Sequence, residues 1–145
     1  MIRLEYPEPA FRIKKMDGKE KLFDPLRKKW IVLTPEEWVR QNFLQVLVQV
    51  QQYPATLIAL EKEIRFGELR KRFDILVYDQ DHQPWLMVEC KAMDVDLSEK
   101  TLQQILTYHA GLPVNWLIIT NGATTYGWQK ANDGFVSVDS LPLMK

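Results

Sequence analysis

Two apolar, strand-forming runs flank a polar spacer near the middle of this chain. They are Arg72-Phe73-Asp74-Ile75-Leu76-Val77-Tyr78 and Trp85-Leu86-Met87-Val88-Glu89-Cys90-Lys91, separated by Asp79-Gln80-Asp81-His82-Gln83-Pro84. β-Branched and aromatic residues favour strands and the spacer carries turn chemistry, so the segment reads as an antiparallel hairpin. If Tyr78 pairs with Trp85, Asp74 lies opposite Glu89, and Lys91 projects from the same face two residues on. Facing residues stand roughly 4.5–5.5 Å apart at Cβ, a distance at which like charges destabilise a sheet. Alternation puts Phe73, Ile75 and Val77 on one face with Leu86, Val88 and Cys90. Asp74, Leu76 and Tyr78 share the other face with Trp85, Met87 and Glu89. Strands apolar on both faces are covered on both sides, so the two carboxylates are expected to be partly dehydrated. Two explanations stand. One is a hard divalent cation between them, of the kind that takes carboxylate oxygen and keeps several waters. The other is a salt bridge of Asp74 or Glu89 with Arg72 or Lys91 at the hairpin end.

The 145 residues suit one domain (1–145) large enough for a real core, with 46% hydrophobic and 26% charged residues. No apolar run approaches the ~20 residues that span a bilayer. The first residues lack a signal-peptide core, and the single cysteine excludes an internal disulfide or a Cys-based zinc cage. A cytoplasmic protein without membrane association is the expectation. Net charge is zero but uneven: residues 1–72 hold 15 Lys+Arg and 10 Asp+Glu, residues 73–145 hold 4 and 9. This asymmetry suits one face toward phosphates beside an acidic metal site; solvated loops give the same counts.

Residues 1–33 read as an N-terminal arm or short strands, and residues 34–130 as the core. Thr34-Pro35-Glu36-Glu37 is a helix start, with Thr34 as N-cap, Pro35 at the first helical position and Glu37 completing a capping box. The helix is predicted to run to about Gln52, with Arg40 as an intrahelical partner of Glu36 or Glu37 worth ~0.2–0.5 kcal/mol. A strand over Thr56–Phe66 precedes the hairpin. A helix from about Leu97 to Ala110, opened by Ser98 or Asp96, follows it. Then come a buried strand over Val114–Thr120, a two-residue Asn121-Gly122 turn and a return over Thr124–Gln129. Ser137–Lys145 is left without assignment. In the second helix Leu102, Ile105, Leu106 and His109 form the apolar stripe, with His109 read as a core histidine. Gln104 and Tyr108, four apart, share a different face. Cys90 is read as a packing residue and His82 as a solvated turn residue.

These pieces together resemble the PD-(D/E)XK nuclease superfamily. More narrowly, they resemble the N-terminal nuclease domain of type I restriction endonuclease R subunits. The matching motifs are Arg72-Phe73-Asp74, Val88-Glu89-Cys90-Lys91, Gln104 to Tyr108, Ile118-Ile119-Thr120-Asn121-Gly122 and the opening Pro35-Glu36-Glu37-Trp38-Val39-Arg40-Gln41. Phe73 stands where many members have proline, a common departure. The resemblance implies an α/β fold with a restriction-endonuclease-like core, a mixed central sheet flanked by helices, in the order αβββαβ plus a further strand. It implies magnesium-dependent hydrolysis of DNA phosphodiesters, with manganese as a substitute. Asp74 and Glu89 would hold the metal with the Cys90 backbone carbonyl and Glu37 or Glu36. Lys91 would orient the attacking water or screen charge, since an ordinary lysine titrates near ~10.4 and suits a base role poorly. Gln104 would hydrogen-bond the lysine, a water or DNA. Tyr108, with the basic cluster Arg70-Lys71-Arg72, would touch phosphates. A homodimer or larger restriction-type complex is an expected partner arrangement. No Gly-x4-Gly-Lys-Ser/Thr phosphate loop occurs in the 145 residues, so no ATP site or helicase motor is expected. The alternative is a non-catalytic DNA- or partner-binding module on the same fold.

Overall fold

The structure, a computed structural model, describes residues 1–144. Two sheets and two principal helices make up the chain. β1 (Ile13–Met16), β2 (Lys19–Asp24) and β3 (Lys29–Val32) form a small antiparallel sheet in the order β1-β2-β3. A helix α1 (Pro35–Gln45) follows, and then six strands make one mixed sheet: β4 (Ile58–Phe66), β5 (Leu69–Tyr78), β6 (Pro84–Cys90), β7 (Trp116–Thr120), β8 (Thr125–Ala131) and β9 (Gly134–Val138). Neighbours in sequence are neighbours in the sheet, and only β6 and β7 run parallel, with α2 (Glu99–Tyr108) as the crossover between them. The core order αβββαβ with a further strand is the expected one. Of the arm or short strands expected over residues 1–33, residues 13–32 form a three-stranded sheet, and a further strand, β9, lies at Gly134–Val138. No helix among the described residues is long and apolar enough to cross a membrane.

Each face of the large sheet carries its own apolar layer. Val39, Phe43, Val46 and Leu47 of the first helical segment pack on Ile58, Ile75, Val77, Leu86, Val88 and Cys90. Leu102, Ile105 and Leu106 of α2 pack on Phe73, Leu76, Met87, Leu117 and Ile119. The strands are apolar on both sides because both sides are covered.

Local chemistry departs from the sequence expectations at four places. Thr34 Oγ1 accepts from the Glu37 N–H at 3.0 Å as an N-cap should. The Glu37 carboxylate does not return the bond to Thr34, however; it accepts from Arg40 Nε at 3.0 Å and Nη2 at 2.7 Å. The capping box is half made because a buried guanidinium is the stronger partner. The helix changes after Gln45 into a single π turn over Val46–Val50, then ends with Gln52 at φ 58°. Asn121-Gly122 sits in a four-residue loop, since the last β7–β8 pair is Thr120↔Thr125. There Asn121 Oδ1 accepts from the N–H groups of Ala123 (2.9 Å) and Thr124 (2.7 Å), which closes the loop as an Asx turn, with Gly122 at φ 87°.

The fourth departure matters most for the site. Ile75↔Val88, Leu76↔Met87 and Val77↔Leu86 pair as expected, but a bulge at Val77/Tyr78 brings Tyr78 opposite Pro84 rather than Trp85, and the ladder ends at Ile75↔Val88, so the expected pairing of Asp74 with Glu89 is not made. Phe73, expected beside Ile75, belongs instead to the α2 layer. On β4 the faces exchange at the same level: Ile58 and Leu60 pack in the α1 layer, Ile64 in the α2 layer. Between these levels the β4–β5 ladder skips the Glu61–Asp74 pair, and Glu61 has φ 51°. A left-handed residue breaks strict alternation, so the ribbon turns over at Asp74.

Arg40 stands beside this crossover with 5% of its surface exposed, and Glu37 is equally buried. Removing one partner of a buried pair strands the other charge, which costs ~3–5 kcal/mol. Glu37→Gln is therefore expected to destabilise the protein near the low end of that range, because Glu61 and Asp74 still face Arg40. Joint replacement by Glu37→Leu and Arg40→Met should recover most of the loss, as apolar substitutes often do. Urea unfolding of the three proteins checks this; a single Glu37→Gln variant as stable as the parent would refute it.

Candidate active site

The end of the β5–β6 hairpin gathers three of the chemistry-bearing residues. Asp74 sits at the crossover with no ladder partner on β4, and its Oδ2 accepts from the Cys90 N–H at 2.7 Å. A carboxylate thus replaces a backbone carbonyl in satisfying β6, and this fixes Asp74 against Cys90. Glu89 precedes Cys90, and its Oε1 lies 3.5 Å from Lys91 Nζ. Lys91 is held by its own N–H, which donates to the Thr120 carbonyl at 2.9 Å and continues the β6–β7 pairing past Cys90. The Cys90 side chain is buried in the α1 layer, so only its backbone belongs to the site.

Two residues valued for packing or helix stability also face these carboxylates. His109, buried on the α2 stripe, places Nε2 3.0 Å from Glu89 Oε2. An ionised carboxylate only accepts, so Nε2 carries the proton. The ring lies between Phe73 and Tyr108, with centroids 5.6 and 4.9 Å away, and Nδ1 is buried with no hydrogen-bond partner among the described residues. Arg40 reaches toward Asp74, with Nη1 3.7 Å from Oδ1. The same guanidinium places Nη2 3.2 Å from Glu61 Oε1. Arg27, from the turn before β3, lies 3.3 Å from Glu61 and 3.5 Å from Glu37.

The remaining candidates are spread out. Glu37 is committed to Arg40, Gln41 and Arg27. Glu36 is exposed, and its charge is felt at Asp74. Gln104 and Tyr108 are exposed on α2, and Gln104 makes no hydrogen bond to Lys91 among the described residues. Lys71 Nζ lies 3.3 Å from the centroid of the Tyr108 ring, a cation–π contact. Arg70 and Arg72 face the other side of the ribbon, bonded to Glu63 at 2.9 Å and Glu61 at 3.4 Å.

The two central carboxylates are driven in opposite directions. Burial is the largest influence on Asp74 and pushes it up to about 6, with Glu36 and Glu89 adding repulsion against the lowering effects of the Cys90 N–H and Arg40. Burial also acts upward on Glu89, but the His109 hydrogen bond and the charges of His109 and Lys91 outweigh it and hold Glu89 below the ordinary range. Burial opposes the charge of Arg40, and Glu37, Asp74 and Glu61 overcome it, raising that pKa. Neighbouring acids split in this way mark a site where charge has been arranged against solvation.

An unfolded Asp releases its proton near 3.8, whereas folded Asp74 keeps it to about 6. The folded state therefore gains nothing from ionisation here. The penalty is absent below the lower value and complete above the higher one, on the order of 1–3 kcal/mol. In chelator, Asp74→Asn should raise stability at pH 8, with the gain shrinking toward pH 4. Thermal unfolding across that pH range checks this; a variant no more stable than the parent at pH 8 would contradict the strain.

Residues 35–142, from the first turn of α1 through the segment after β9, match the family described as "Type I restriction enzyme R protein N terminus". No curated protein sequence matches significantly. Among solved structures, a candidate nuclease belonging to DUF820 from Anabaena variabilis is similar at 16% identity and a TM-score of 0.48. That match covers 97% of this chain and 84% of the other. The αβββαβ order, the crossover helix between parallel β6 and β7, and Asp74 with Glu89-Cys90-Lys91 on adjacent strands make this a restriction-endonuclease-like core of the PD-(D/E)XK type, and the chain belongs to the type I restriction enzyme R protein N-terminus family.

Proposed function

We propose that this nuclease-like domain hydrolyses DNA phosphodiester bonds with magnesium, manganese serving as a substitute. The observation that carries the reading is the pair Asp74 and Glu89 on neighbouring strands, pushed to opposite protonation behaviour, with Lys91 3.5 Å from Glu89. The donors fit a hard cation. Among the described residues Asp74 Oδ1 takes no hydrogen bond, Glu89 and the Cys90 carbonyl are adjacent in sequence, and all three offer oxygen. Among the described residues no group of three or more His, Cys, Asp or Glu forms a metal cage. Magnesium is commonly held by one or two carboxylates with several waters, so Asp74, Glu89 and the Cys90 carbonyl suffice, with Glu36 better placed than Glu37 to join them. When bound, the ion would acidify a water and polarise the scissile phosphate.

The chain's own groups supply the rest. Lys91 orients the attacking water and screens charge developing on the phosphate oxygens. His109 and Lys91 together keep Glu89 ionised, and Arg40 limits the repulsion that Asp74 meets. Gln104 and Tyr108 offer an amide and a phenol from the exposed side of α2, beside Lys71, with Arg70 and Arg72 across the ribbon. DNA is the partner, and cutting both strands would use a homodimer or a larger restriction-type complex. The second reading, a non-catalytic DNA- or partner-binding module, has in its favour that the expected ligand Glu37 is bonded instead to Arg40 and Gln41.

Parent and Lys91→Ala proteins, incubated with supercoiled and single-stranded DNA in magnesium, manganese or chelator, separate the two. Cleavage should require the metal and fall ~10²–10⁴-fold in the variant, while the melting temperature and manganese binding persist. Undiminished cleavage by Lys91→Ala would overturn the role of the lysine. A parent that neither cuts nor binds manganese would leave the binding module.

A further inference from the structure

β6 pairs with β5 only over Ile75–Tyr78, so the outer β4–β5 hairpin, residues 62–66 and 69–73, stands as a ribbon without a third strand. Such ribbons are marginal in water by themselves. One face leans on the end of α2. Lys71 covers the Tyr108 ring, and Leu69 Cδ1 lies 3.0 Å from where a Cβ on Gly111 would be. The opposite face carries two cross-strand pairs, Glu63↔Arg72 and Arg65↔Arg70. Arginines placed directly opposite each other repel, and Glu63, bonded to Arg70, answers only one of them. At the tip, Phe66 and Leu69 face each other across the turn, 53% and 40% exposed. Residues 61–72 hold five cations against three acids.

Building on the nucleolytic reading above, we propose that this ribbon is an arm that enters a groove of duplex DNA. The major groove admits a two-stranded β-ribbon. The Arg65/Arg70 pair, of which Glu63 answers only Arg70, then meets phosphates, which lowers the remaining repulsion. Phe66, with the exposed part of Leu69, presses an apolar tip against base edges in that groove. The geometry leads to the site: Arg70 lies four residues before Asp74 on the same strand, about 13 Å of extended chain. A backbone gripped at the arginine pair is therefore aligned along β5 toward Asp74. An acidic protein would meet the charge of the arm, but it gives no reason for an apolar tip flanked by arginines on a ribbon of groove-fitting width.

The test measures binding to a short duplex by fluorescence anisotropy in chelator across a salt series. It compares the parent with Arg65→Gln/Arg70→Gln, with Phe66→Ala, and with Lys19→Gln/Lys29→Gln as a charge-matched control on the small sheet. Each phosphate contact contributes about 0.9 to the slope of log affinity against log salt. The arginine variant should therefore lose close to two units of slope and bind at least ~10-fold more weakly at ~100 mM salt. Phe66→Ala should weaken binding and leave the slope unchanged. The control should match the parent, and melting temperature and manganese binding should be the same throughout. Equal losses in the arginine variant and the control, an arginine variant that binds like the parent, or equal affinity for single strands would each overturn the arm. A parent that grips duplex through the arm yet cuts nothing would sink the catalytic reading alone. A parent that cuts, with arm variants that bind and cut equally well, would sink the arm alone. No duplex binding by the parent at low salt would overturn both.

Discussion

Arg40 is a buried cation shared by acids from three elements: Glu37 on its own helix, Glu61 on β4 and Asp74 on β5. Taking a guanidinium out of water costs several kcal/mol unless geometry and hydrogen bonds compensate. Here the two-pronged contact with Glu37 does much of the compensating. The consequence is positional. α1 cannot slide on the sheet without separating Arg40 from Glu61 and Asp74, so the helix face that covers Ile75 and Val88 is tied to the strand that carries the site. Arg27 extends the tie to the small sheet through Asp24, Glu37 and Glu61. Four separate pieces of chain are registered by charge at the point where β5 turns over.

The same arrangement divides labour between the two central carboxylates. Glu89 is surrounded by donors, His109 on one oxygen and Lys91 near the other, and remains ionised despite its burial. Asp74 has one backbone donor and a guanidinium beyond hydrogen-bond reach, with Glu36 and Glu89 nearby, and burial dominates. A divalent cation would act mainly on Asp74, the acid least satisfied by the protein itself. A cation held there would relieve the same charge that strains the folded chain.

Much of this was legible in the residues because it depends on short-range patterning. The hairpin follows from two apolar runs flanking a turn, although the bulge displaces its expected Tyr78–Trp85 pair to Tyr78–Pro84, and the helices follow from Thr34-Pro35 and Ser98. Burial of Cys90 follows from its place opposite Glu89. What the pattern could not supply were contacts between elements distant in sequence. Arg40 has acids one turn away in sequence, so a local reading stops at a surface pair, whereas Glu61 and Asp74 reach it only through the fold. His109 lies on an apolar stripe and is buried, as a core histidine should be; its bond to Glu89 depends on how α2 crosses the sheet. The nearest available signal was its spacing from Ile105, which aims it at the same layer as Met87. Strict alternation puts Phe73 on the wrong face because it assumes uniform extended backbone, and a glutamate at φ 51° on the neighbouring strand is invisible to a count of two.

That inversion at Glu61 and Asp74 joins the body of the sheet to its projecting ribbon. Before the crossover, the face of β4 and β5 bearing Leu60 and Ile75 is sealed by α1; beyond it, the faces are exchanged and Ile64 and Phe73 close on α2. Arg65, Arg70 and Arg72 are thereby turned away from α2. Had the ribbon continued with its faces unchanged, these arginines would lie on the α2 side, where Leu112, Val114 and the Tyr108 ring lie, and their desolvation would oppose folding. One left-handed residue therefore does two things at once. It frees Asp74 from the ladder so that its carboxylate can cap Cys90 beside Glu89, and it sets the basic face of β5 toward solvent on the approach to that carboxylate.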